Sequence, residues 1–141
     1  MGSVCLQSRV RSAVLGAVML AAAIANAAIT PYDFTGTWTG SATGKKGAVD
    51  ITFSLSGTGP VFTGSFSATV QGGTLQCTVA GKQRPHSKVK MRLTQCNDNS
   101  TIVLHGKLNP AAVSGPTIAG RYVRIHKGKV QAGSFTLTRM P

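Results

Sequence analysis

Apolar and polar residues alternate with a period of two along nearly the whole chain beyond its first 30 residues. Val49, Ile51, Phe53 and Leu55 alternate with Asp50, Thr52 and Ser54, and Phe62, Gly64, Phe66, Ala68 and Val70 alternate with Thr63, Ser65, Ser67 and Thr69. Residues two apart share one face of a β-strand, so each segment has one apolar face and one hydroxyl-rich face. The same alternation carries Leu75, Cys77 and Val79, then Val89, Met91 and Leu93, then Ile102, Leu104 and Leu108, then Ile118 and Tyr122, and last Phe135 and Leu137. With an opening strand over Phe34 to Ala42, the pattern predicts eight strands and no helix of useful length. Turn formers separate them: Gly44-Lys45-Lys46-Gly47, Gly57-Thr58-Gly59-Pro60, Gln71-Gly72-Gly73, Asn97-Asp98-Asn99, Asn109-Pro110 and Lys127-Gly128-Lys129. Short links between successive strands predict an antiparallel meander. Strands with a single apolar face close most economically into one all-β, eight-stranded antiparallel up-and-down β-barrel, which also removes exposed edges.

Within this alternation a figure of apolar, any, Gly, any, aromatic or apolar ring recurs. It stands at Phe34-Thr35-Gly36-Thr37-Trp38, at Phe62-Thr63-Gly64-Ser65-Phe66 and at Ile118-Ala119-Gly120-Arg121-Tyr122, with a shortened echo at Gly133-Ser134-Phe135. A Gly between large inward residues lets a strand bend and leaves room for a neighbour, as a tightly curved barrel requires. Arg139 shares parity with Phe135 and Leu137 and is therefore expected to point inward, where a ring face or carbonyl groups must satisfy it.

The start of the chain belongs to a different class. Arg9 and Arg11 precede an apolar run from Ala13 to Ile24, and Ala25-Asn26-Ala27 offers a small-x-small cleavage signal, so residues 1–27 read as a secretory signal peptide. No transmembrane or lipid anchor is expected, and residues 28–141 should form one small exported domain, periplasmic or extracellular. Cys5 is lost with the leader. The two remaining cysteines, Cys77 and Cys96, are expected to form a disulfide in an oxidising compartment. The rival reading, a metal site, lacks any paired-ligand spacing.

Gly36-Thr37-Trp38 on the first strand, matched by Arg139 on the last, resembles the calycin signature shared by lipocalins and avidins. The resemblance implies that Trp38 closes one barrel end with the basic side chain packed across it, a structural role rather than ligand stacking. Phe62-Thr63-Gly64-Ser65-Phe66 and Phe135-Thr136-Leu137-Thr138-Arg139 are similar to the third and closing strands of avidin-type proteins. The biotin-contacting residues of that family are absent: Gly40 and Gly44 replace the polar residues after the first strand's Trp, Phe66 stands at the Tyr position, and Trp38 is the sole Trp. Gly and Phe offer nothing to a ureido oxygen, so biotin binding is not carried over.

The chain contains only three carboxylates, Asp33, Asp50 and Asp98, and none is placed to pair with another for acid and base work. His86, His105 and His126 fall on a basic loop, an outward strand position and a turn, and read as solvated surface histidines. The domain is expected to be non-enzymatic, without metal or cofactor. Charge is the stronger signal, since fifteen Lys and Arg against three Asp give the whole chain +12. Lys82, Arg84, Lys88, Lys90 and Arg92 lie in one stretch, and the last three share an outer face; Arg121, Arg124, Lys127 and Lys129 form a second. Both adjoin turns, which would let them line one barrel end. A solvated face kept soluble by its charge and an anion-binding surface account for them equally well. Three readings stay open: a binding barrel for an unidentified small or extended ligand, a cationic surface module for anionic polymers such as lipopolysaccharide, acidic glycan or DNA, and a secreted hydrolase inhibitor. The oligomeric state is not legible.

Overall fold

The computed structural model describes residues 29–141; the leader assigned to residues 1–27 lies outside them. Eight strands follow in order: β1 (Gly36–Gly44), β2 (Gly47–Ser56), β3 (Val61–Val70), β4 (Gly73–Arg84), β5 (Lys88–Thr94), β6 (Thr101–Asn109), β7 (Thr117–His126) and β8 (Lys129–Arg139). Each pairs antiparallel with its sequence neighbours, and β8 closes on β1, so the expected up-and-down barrel is the observed one. Among the described residues there is no helix.

The register gathers the large apolar residues of all eight strands into one interior. Trp38 stands opposite Phe53 on β2 and opposite Arg139 on β8, and Phe53 stands opposite Phe66 on β3. Trp38, Phe34, Phe53, Phe62, Met91, Leu93, Ile118 and Leu137 each retain less than 2% of their exposure. Side chains that bare of accessible surface leave no solvent-sized space beside them, so the barrel is filled rather than hollow over this length. Burying rings and branched side chains at such levels supplies about 1.5–3 kcal/mol apiece before entropy is set against it.

The recurrent glycines explain how so small a barrel closes. A Cβ at Gly64 would run into the backbone carbonyl of Ser54, and one at Gly120 into that of His105, because β3 and β7 press against their neighbours where they bend. Gly81, outside the recurrent figure, makes room for the Phe62 ring, which stacks on Phe34 with centroids 4.1 Å apart.

One end is sealed by the chain entering the barrel. Phe34 falls just before β1 rather than within it; its N–H donates to the Gly57 carbonyl at 3.0 Å, and its own carbonyl accepts from the Trp38 indole at 2.9 Å. Gln83, buried on the inner face of β4, donates to the Thr30 carbonyl at 2.8 Å and accepts from the Tyr32 N–H at 3.1 Å, pinning the incoming segment across the end. The Arg139 guanidinium carbon lies 5.2 Å from the ring centroids of both Tyr32 and Trp38. Its nitrogens donate to the Tyr32 hydroxyl at 3.1 Å, to the Thr35 carbonyl at 3.3 Å and to the Asp33 carbonyl. Ring faces, carbonyls and the Tyr32 hydroxyl surround the inward cation, as the parity of Arg139 required, although its Nε finds no hydrogen-bond partner.

At the opposite end Cys77 and Cys96 are bonded, with Cα atoms 4.1 Å apart. The bond joins β4 to the β5–β6 connection and closes the β4–β5 hairpin at its open end. Asn97 extends the same clamp, accepting from the Gln76 N–H at 3.1 Å and donating to the Thr74 carbonyl at 2.8 Å.

Candidate anion-binding surface

Outward residues of adjacent strands become neighbours through register. Lys82 on β4 stands directly opposite Lys90 on β5, Lys90 opposite His105 on β6, and His105 opposite Arg121 on β7. One row nearer the Trp38 end, Arg84 faces Lys88 and Lys88 faces Lys107. One row farther from it, Arg92 stands between Ala80 and Val103. Strand spacing puts facing side chains about 5 Å apart across the sheet and about 7 Å apart along a strand. The result is a lattice of cations over the outer wall of β4 to β6, with Arg121 on β7 joined to it across His105. Lys82, Arg84, Lys88, Arg92, Lys107 and Arg121 are exposed and Lys90 is half-buried by its neighbours.

None of the three carboxylates reaches this wall. Asp33 sits before β1, where hydrogen bonds from the Thr35 side chain and N–H hold its carboxyl below the usual range. Asp50 is outward on β2, in register with Ser41. Asp98 is taken by Arg124. Burial pushes the Asp98 carboxyl up, but bonds from the Ser100 hydroxyl and N–H and from Arg124 outweigh it and bring the pKa down to about 2.

The two basic stretches do not line one barrel end. The turn after β4, carrying His86, lies at the Trp38 end, whereas the turn after β7, carrying Lys127 beside His126 and Lys129, lies at the opposite end. Successive turns of an up-and-down barrel alternate ends, and these two are an odd number of strands apart. The second stretch also divides by parity: Arg121 is outward and joins the wall, while Arg124 shares the inner face of β7 with Tyr122 and binds Asp98 and Gln131 at the rim. Lys107 and His105 belong to the wall although neither stretch includes them. Their outward parity beside Leu104 and Leu108 was visible, but their neighbours were not.

The remaining outer wall differs in kind. From β1 to β3 it presents Thr37 facing Ser54, Ser54 facing Ser65, and Thr39 facing Thr52, with its only lysines, Lys45 and Lys46, in the β1–β2 turn. A shallow open recess between β3 and β4, lined by Ser65, Ser67, Gln76, Thr78 and Gln95, lies on this side.

No protein-family model, curated protein or solved structure matches the chain.

Proposed function

We propose that this is an exported, non-enzymatic, calycin-like barrel whose outer β4–β7 wall binds anionic polymers such as lipopolysaccharide, acidic glycan or DNA. One observation carries the reading: cations stand directly opposite one another across strands, Lys82 against Lys90, Arg84 against Lys88 and Lys88 against Lys107, without a carboxylate among them. Each like-charge cross-strand pair costs about 0.2–1 kcal/mol, so a surface charged only for solubility has no reason to group them. A bound polyanion removes that repulsion and converts it into affinity. The wall is broad and convex, without an enclosing pocket, which suits an extended ligand with repeated charges over a single small anion. The filled interior weighs against selection of a ligand inside the barrel, and the disulfide and the absence of a long apolar helix among the described residues are compatible with export.

The test is binding to a sulfated polysaccharide, to polyphosphate and to uncharged dextran over a series of salt concentrations. Binding to both anionic polymers, steeply weakened by salt and absent for dextran, is the expected result. Equal retention of dextran, or no retention of either polyanion at low salt, overturns the proposal.

A further inference from the structure

Beyond the wall of cations, the β7–β8 hairpin carries an exposed apolar stripe. Ile125 and Val130 face each other across the two strands and are 48% and 68% exposed, and Val123, at 39%, faces Ala132 one row inward. Val103 on β6 lies beside Val123 and widens the patch. Only Ser134–Arg139 of β8 pairs with β1, so the first half of β8 runs past its β1 neighbour, while β7 stays paired with β6 as far as Ile125. The hairpin is held firmly: Arg124, on its inner face, donates to Gln131 at 3.2 Å and to Asp98 of the β5–β6 connection.

Cations bracket the stripe. Lys127 and Lys129 close it at the hairpin tip, and Arg121 and Arg92 border it on the barrel side, with Arg92 in register with Val103. We infer that this hairpin seats the protein on an anionic lipid surface, with Val123, Ile125 and Val130 entering the headgroup region and the four cations meeting lipid phosphates. Charge complementarity selects this occupant. A second copy of the chain would bring Lys127, Lys129 and Arg121 against their own kind, whereas an anionic leaflet attracts each basic residue and accepts apolar side chains beside it. Neither signal alone holds a protein at a membrane; adjacent on one rigid hairpin, they act together. The electrostatic part rests on the same cationic surface proposed above, but the apolar part does not, and that difference separates the two in experiment.

The experiment is co-sedimentation with vesicles of mixed phosphatidylglycerol and phosphatidylcholine, and of phosphatidylcholine alone, for the parent and for a V123T/I125T/V130T variant. Threonine keeps the β-branched shape and puts a hydroxyl in place of one methyl of each Val and of the ethyl branch of Ile125. The parent should bind the anionic vesicles with a remainder that resists high salt, and the variant should lose that remainder and bind about tenfold more weakly overall, while retaining sulfated polysaccharide as the parent does. In a separate V130W variant the added indole should shift its emission to shorter wavelength on anionic vesicles, against the constant background of the buried Trp38. Equal vesicle binding by parent and triple variant overturns the inference, as does a parent that binds polysaccharide but not vesicles. A parent that dimerises, with a triple variant that is monomeric, assigns the stripe to self-association instead and also overturns it. Failure of both polysaccharide and vesicle binding overturns this inference and the functional reading together.

Discussion

The β1–β3 wall and the β4–β7 wall are alike inside and unlike outside. Inward, both contribute large apolar side chains to one core, Trp38, Phe53 and Phe62 from the first and Val79, Met91 and Ile118 from the second. Outward, the first carries mostly neutral hydroxyls with the carboxylate of Asp50 among them, and the second carries Lys82, Arg84, Lys88, Lys90, Arg92, Lys107 and Arg121. The same strand geometry tolerates both exteriors because outward side chains of a filled barrel do not touch the core. Folding therefore constrains one face of each strand and leaves the other free. The asymmetry of the free face is what points to a binding surface.

The largest expected effect is on the interior that both walls share. Substituting Gly81→Val, at the seam between them, drives a side chain into the Phe62 ring, which Phe34 already covers. It should cost about 3 kcal/mol of stability in denaturant unfolding, because neither ring has room to yield. Reduction of Cys77–Cys96 should cost about as much, roughly 3 kcal/mol, by releasing the unfolded chain. A Gly81 variant of parent stability would mean that the interior has slack.

Next in size is the split between the exteriors. Reversing Lys88, Lys90 and Arg92 to Glu should weaken binding to a sulfated polysaccharide about a hundredfold at low salt, with unfolding midpoints no lower than the parent's. The matched triple on the other wall, Thr52, Ser54 and Ser67 to Glu, should change that binding by no more than about threefold, since those positions lie beyond direct contact. Equal losses from the two triples would reduce the surface to its net charge and erase the contrast.

A smaller effect follows from the opposed cations themselves. Raising sodium chloride from low to about 0.5 M should lift the thermal midpoint by about 5 °C as repulsion across the wall is screened. The Lys-to-Glu triple should show little or none of this rise. A parent whose midpoint is indifferent to salt would mean that these side chains splay far enough apart to avoid one another.

The smallest effect belongs to the rim. Asp98 has a folded pKa below its ordinary value, at about 2, so its contribution to stability is complete above about pH 4 and disappears as pH falls toward 2. D98N should flatten the stability profile in that window by about 1 kcal/mol. An unchanged profile would show that neither the Ser100 bonds nor the Arg124 contact holds the carboxylate in solution.

Much of this molecule was legible from its residues. A period of two assigns inward and outward faces within each strand without reference to any other strand, and that was enough to expect the barrel, the buried Trp38 and the inward Arg139; the pairing of Cys77 with Cys96 was expected instead from their being the two cysteines left in a small exported domain. Parity also places Arg124 inward, although its position within a basic run obscured this. Parity places Gln83 inward with Cys77 and Val79 as well, but its role depends on the incoming segment crossing that end, which no single strand shows. The order of residues along each strand therefore settles the direction that every side chain takes. Which outward residues meet depends on how the strands are aligned in the closed barrel. Register between strands is set by turn lengths and closure around the barrel, so the meeting of Lys90 with His105 and of His105 with Arg121 is a property of the closed sheet and of no single segment.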